Sequence, residues 1–114
     1  MAFSDDELSH ISALLDPWME RRVPIMVRDQ LVLQYRVKRH DILLFEKRPH
    51  WRRAGEWTES PVAKFRFNRR RGLWTLLWCD RNLECHIYDL LDSVADLRGL
   101  VDEVDRDPSG IFWG

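Results

Sequence analysis

The chain is poor in the residues that break, staple or anchor a fold. Gly and Pro number five each in 114 residues, too few for a disordered or low-complexity chain, which would be rich in both. Only two cysteines occur, Cys79 and Cys85, so no disulfide scaffold is available and a hydrophobic core must hold the domain. No apolar run approaches the roughly 18 residues of a membrane helix; the longest, such as Ile42-Leu43-Leu44-Phe45, is strand-sized. The opening MAFSDDELSH is acidic where a secretory signal is basic and then apolar, and the expectation is a cytoplasmic protein without membrane association. A Gly-rich phosphate loop and a G-x-S-x-G elbow are also missing, so neither a nucleotide-binding nor a hydrolase signature can be read.

Charge of one sign is missing too, but only locally. Residues 1–20 hold five acids and no Lys or Arg, residues 21–81 hold 16 Lys and Arg against six acids, and residues 82–114 hold eight acids against two Arg. The formal net charge of −1 conceals two acidic flanks around a basic block. Such segregation bears on association and surface polarity, not on fold.

What is present reads as a single α+β domain over residues 1–114. Ser4-Asp5-Asp6-Glu7 forms a capping box with Phe3 and Leu8 as its hydrophobic staple, and Leu8, Ile11, Leu15 and Trp18 recur at helical spacing. Pro17 is expected to kink that helix or to start its last turn. From Leu31 the period becomes two, predicting a strand to Val37 and then strands over 42–48, 62–68, 73–80 and 83–88, with a long polar loop over 49–61. Tight turns at Arg70-Arg71 and at Arg81-Asn82 would gather Ala63, Phe65, Phe67, Trp74, Leu76, Trp78, Cys85 and Ile87 on one face. A second helix is expected from Ser93, with Glu103 on its polar side. The result is a five-stranded antiparallel meander with an N-terminal and a C-terminal helix packed on one face. The closing Ile111-Phe112-Trp113 is too apolar to float and is expected to fold back onto the domain or onto a second protomer.

The same register leaves Gln34, Arg36, Lys38, Lys47, Lys64, Arg66, Asn68, Glu84, His86 and Tyr88 on the other face among Leu43, Phe45, Leu73 and Leu77. Lys64, Arg66, Arg69, Arg70 and Arg71, with Trp51, Arg52 and Arg53 of the long loop, would offer charge for phosphates and ring faces for bases, as a single-stranded nucleic-acid platform needs. Against it, Lys and Arg stems also cover apolar sheet surface while their heads stay in water, and the sequence pI of about 6.4 is low for a nucleic-acid module. The favoured partner is therefore a second copy, as in a homodimer or larger homo-oligomer, or another protein, with nucleic acid as the alternative. Metal and cofactor are not expected: Cys79, Cys85 and His86 have C-x5-C-H spacing, and adjacent strand residues point to opposite faces. The register also puts Cys79 and Cys85 on opposite faces, predicting two reduced thiols. Asp105-Arg106-Asp107-Pro108-Ser109-Gly110 copies half of a calcium loop but lacks the bidentate Glu that completes it. No catalytic residue is assigned, and a non-enzymatic role is expected. An enzyme or small-ligand site would have to gather Glu46, Trp57, Glu59 and a His around the 46–61 loop.

Met1-Ala2-Phe3-Ser4, Val27-Arg28-Asp29-Gln30-Leu31, Phe45-Glu46-Lys47-Arg48-Pro49, Glu56-Trp57, Pro61-Val62-Ala63-Lys64, Val104-Asp105-Arg106-Asp107-Pro108 and Phe112-Trp113-Gly114 carry a likeness across nearly the whole chain. It resembles the small bacterial family known as domain of unknown function 3024. That resemblance implies a short, stand-alone cytoplasmic bacterial protein and transfers no catalytic or ligand residue.

Overall fold

The computed structural model describes residues 3–113. Helix α1 (Asp5–Arg22) begins at the capping box: Ser4 Oγ accepts the Glu7 N–H at 3.2 Å, and Glu7 accepts the Ser4 N–H at 2.8 Å. The helix runs without a break through Pro17 and buries Ile11, Leu15 and Trp18. After a 3-10 turn at Ile25–Val27 come the strands β1 (Val32–Lys38), β2 (Asp41–Pro49), β3 (Trp57–Asn68), β4 (Leu73–Cys79) and β5 (Cys85–Ile87), then α2 (Leu97–Arg106). The five strands pair antiparallel in chain order. No helix among the described residues is long and apolar enough to cross a membrane.

Alternation along the strands gives the sheet two faces. Phe67 stands opposite Trp74, Phe65 opposite Leu76 and Ala63 opposite Trp78, as the turn at Arg70-Arg71 requires. Continuing across β2 and β1, Ile42 and Leu44 join them, followed by Tyr35 and Leu33. These side chains meet Leu15 and Trp18 of α1 and Leu97, Leu100, Val101 and Val104 of α2 in one core, where Phe65, Leu15, Ile42, Leu44 and Val104 are wholly buried. Phe3 closes the end of this core by stacking on Trp74, ring centroids 5.7 Å apart.

Four sequence expectations need correction. The long loop is shorter than expected, because Trp57–Pro61 pairs with Phe45–Pro49. Val62 is the extra residue of a bulge between the Leu44–Ala63 and Phe45–Pro61 pairs, and a bulge tolerates the Pro61 that ordinary strand pairing would reject. Second, α2 starts at Leu97, capped by the Asp96 side chain on the Arg98 N–H at 3.0 Å. Ser93 instead bonds Thr75 Oγ1 at 2.7 Å while Val94 makes a single bridge to Trp74, so this stretch extends the edge of the sheet beside β4.

Third, β5 is shifted by one residue. Cys79 pairs with Cys85, Trp78 with His86 and Leu77 with Ile87. The connection is not a two-residue turn: Asp80 Oδ1 accepts the N–H groups of Asn82 and Glu84 at 2.8 and 3.0 Å, and Leu83 takes a left-handed φ of 66°. A slip of one exchanges the faces of a whole strand. Cys79 and Cys85 therefore share a face and form a disulfide, Cα atoms 4.0 Å apart, where reduced thiols were expected. Tyr88 goes to the core instead of the open face. Fourth, Glu103 is buried on α2, 4% exposed, because Tyr88 donates to its Oε2 at 2.7 Å and Arg106 to its Oε1. Burial, aided by the Glu103 hydrogen bond, pushes the Tyr88 hydroxyl up to about 12.

The tail folds back as expected. Phe112 is buried against Tyr88 at 5.1 Å, and Trp113 donates its indole N–H to the Val104 carbonyl at 2.7 Å. The Asp107 carboxylate of the half calcium loop accepts the N–H groups of Phe112 and Trp113, so its lone pairs anchor the tail.

Candidate functional site: the open face of the sheet

Both helices cover the same side of the sheet, leaving the other side without a layer. From β1 to β5 that open face carries Gln34, Arg36 and Lys38; Leu43, Phe45 and Lys47; Trp57, Glu59, Pro61, Lys64, Arg66 and Asn68; Leu73, Thr75 and Leu77; and the Cys79–Cys85 disulfide with Ile87. Glu84, His86 and Tyr88, expected here, leave it through the β5 slip.

Many of its cations already have partners on the same chain. Arg36 reaches Glu59 at 2.6 Å and lays its guanidinium 4.3 Å from the centre of the Phe45 ring. Phe45 is thereby only 3% exposed on a face that no helix covers. It is shielded by a clamped arginine and does not offer its ring for stacking. The Arg36 hydrogen bond also lowers the pKa of Glu59. Arg66 binds Asp41 across β2 and β3 at 2.9 and 3.3 Å. The Arg36–Glu59 pair and Phe45 line a recess of about 220 Å³ together with Leu43, Pro61, Lys64, Leu83 and Cys85 of the disulfide. Leu83 and Ile87 are 70% and 68% exposed, and Leu90, just past β5, is 63% exposed.

The structure divides the residues singled out for nucleic acid among three places. Lys64 and Arg66 lie at the centre of the open face. Arg69, Arg70 and Arg71 sit in the β3–β4 turn, where Arg69 is drawn onto α1 by Glu7 through two contacts of 2.9 and 3.1 Å. That hydrogen bond from Arg69 is the main reason why the Glu7 carboxyl falls to about 2. Trp51, Arg52 and Arg53 occupy the β2–β3 loop at the other end of β3, roughly 36 Å away along a 12-residue strand. Trp51 is 80% exposed with the Arg52 guanidinium over it at 4.2 Å, while Arg53 pairs with Glu56 at 3.6 Å. One continuous basic platform is not formed.

A recess of about 570 Å³ at the turn end does gather Arg39, Arg66, Arg69 and Arg70, with His40 and Asp41 beside them. Arg39, Arg70 and Arg71 make no ion pair among the described residues, and neither do Lys38 and Lys64.

The residues that an enzyme site would need do not converge. Trp57 and Glu59 lie on the open face, whereas Glu46 lies on the helix side with Arg48, 3.5 Å away, and Trp113. A groove of about 430 Å³ between the start of α1 and the start of α2 contains Glu7, His10 and Asp96, but both carboxylates are engaged, by Arg69 and by the Arg98 N–H. For a metal, the described residues bring together one group: Asp80, Glu84 and His86, whose ligand atoms lie within 4.8 Å of one another.

A family model described as "Domain of unknown function (DUF3024)" matches residues 3–114, essentially the whole chain. The chain belongs to the DUF3024 family. Compared with curated proteins and with solved structures, it matches none. Family membership therefore agrees with the likeness read from the sequence, and it adds no residue role to the geometry of this DUF3024 domain.

Proposed function

We propose that this DUF3024 domain is a non-enzymatic protein-interaction module that docks through the open face of its sheet, with a second copy of the chain as the favoured partner. One observation carries the reading: apolar residues cluster on the uncovered face, with Leu43, Leu83 and Ile87 around the disulfide and Lys64 and Arg36 at the rim. Exposed apolar side chains scattered singly need no explanation, but a contiguous patch with a polar rim is what an interface needs. The opposed charge blocks support the choice of partner, and part of that complementarity is spent within the chain. Glu7 meets Arg69 and Asp105 meets Arg22 at 3.0 Å, leaving the unpaired Lys38 and Lys64 to meet exposed acids such as Asp6, Asp16 and Asp102 of another protomer.

Sedimentation velocity over a range of concentrations tests this. The wild-type chain is expected to gain mass with concentration, and Ile87→Asp, at an exposed position that leaves the core untouched, is expected to stay monomeric. A wild-type chain that is monomeric at all concentrations would refute the reading.

The turn-end recess supports a second reading, a polyanion site including single-stranded nucleic acid at Arg39 and Arg70 of the recess, with Arg71 beside them in the same turn. Its signature is affinity that falls steeply with salt, with a slope that flattens on Arg70→Glu and Arg71→Glu substitution. In a cytoplasmic location the disulfide would have to persist against a reducing thiol pool. Alkylation of thiols at the moment of lysis decides whether it does.

A further inference from the structure

We propose that the tip of the β4–β5 hairpin binds a divalent transition-metal ion of the zinc class through Asp80, Glu84 and His86. The donors are one imidazole nitrogen and two carboxylates, all within 4.8 Å of one another. Around a tetrahedral ion with bonds of about 2.1 Å, donors stand roughly 3.4 Å apart, so side-chain adjustments on the order of 1 Å close the site without moving the backbone. Imidazole with carboxylate suits zinc, cobalt and their neighbours, and argues against magnesium and calcium, which take oxygen alone. Thiolates do not compete, because Cys79 and Cys85 are bonded to each other on the opposite face.

The hairpin is already shaped for this task. Asp80 fixes its carboxylate by accepting two backbone N–H groups at Oδ1, from Asn82 and Glu84, which aims Oδ2 at His86 Nε2, 2.7 Å away. The Asp80 N–H donates to the Glu84 carbonyl at 2.8 Å, closing the loop that bears both acids. Directly behind it, the disulfide ties the two strands together. Trp78 lies against His86 with ring centroids 4.6 Å apart and holds the imidazole on the side of the acids. Backbone and ring contacts outside the coordination sphere orient the ligands, the arrangement that metal sites use to hold theirs. Three protein ligands leave a position for water or for a partner's side chain.

Asp80 and His86 alone would make an ordinary hydrogen-bonded pair, and such a pair has no need of Glu84. That difference sets the test. Isothermal titration of Zn2+ into the oxidised full chain near neutral pH is expected to show one saturable equivalent. His86→Ala and Glu84→Gln should each weaken it by at least tenfold, and His50→Ala, remote from the tip, should leave it unchanged. Glu84 is exposed, so its variant keeps the fold, and its melting temperature without zinc should equal that of the wild type. At a zinc concentration near the wild-type dissociation constant, zinc should raise the melting temperature of the wild type by clearly more than that of Glu84→Gln. Absence of saturable zinc binding, or equal affinity in Glu84→Gln, overturns the proposal.

Discussion

Phe65 and Phe45 stand on adjacent strands and opposite faces of one sheet, and water reaches neither: Phe65 is 0% exposed and Phe45 3%. They are excluded from water by different means. Phe65 lies beneath two helices in the core shared with Leu15 and Val104, whereas Phe45 lies beneath Arg36, which Glu59 holds in place. The helix-covered face is closed permanently by packing. On the open face Phe45 is shielded by a charged side chain that can move aside, and toward β5 Leu83 and Ile87 are exposed. A face closed by packing serves the fold, and a face closed by solvated cations remains available to a partner.

The largest effect should come from the packed side. Phe65→Ala should destabilise the domain by about 4 kcal/mol in denaturant unfolding, since an aromatic lost from a closed core leaves a cavity. Arg36→Ala should cost about 1 kcal/mol or less, the scale of an exposed ion pair. Equal losses for the two would erase the distinction between the faces.

Cutting the disulfide with Cys79→Ser and Cys85→Ser should cost about 2 kcal/mol, the loop-closure entropy of its short ring, and should loosen β5 while leaving β1 to β4 as protected from amide exchange as before. A global loss of protection would mean that β5 is integral to the core.

The smallest effect is one of pH. The Glu7 carboxyl, drawn down from the usual 4.5 to about 2 chiefly by its hydrogen bond with Arg69, contributes stability that is complete above 4.5 and disappears as pH falls toward 2. Glu7→Gln should flatten that part of a melting-temperature profile, lowering the melting temperature near neutrality, where the Arg69 pair is intact, and converging on the wild type as pH falls toward 2. An unchanged acid limb would mean that the pair does not hold the basic turn to α1.

Most of this architecture is legible in the sequence because local signals agree with the fold. The Ser4–Glu7 box, the alternation from Leu31 and the Phe67–Trp74 register each rest on residues close in the chain. What could not be read depends on side chains acting on backbone or on distant partners. Both Ser93 and Asp96 are good helix caps, and only the bridge of Val94 to Trp74 decides between them. The β5 slip follows from the Asp80 carboxylate organising a five-residue connection where a two-residue turn is also plausible. That slip moved Tyr88 to Glu103, Cys79 to Cys85 and His86 to Asp80. On the open face, the basic block announced itself, but the pairing of Arg36 with Glu59, Arg66 with Asp41 and Arg69 with Glu7 joins residues 23 to 62 positions apart, beyond any periodicity.

Association through the open face should appear in amide chemical shifts compared between dilute and concentrated protein. Concentration-dependent shifts are expected at Leu43, Lys64, Leu83 and Ile87, a weaker set on the exposed acidic surface of the helices that receives them, and none at the buried Phe65 and Leu100. Shifts confined to the β2–β3 loop around Trp51, or no shifts at any concentration, would contradict that association.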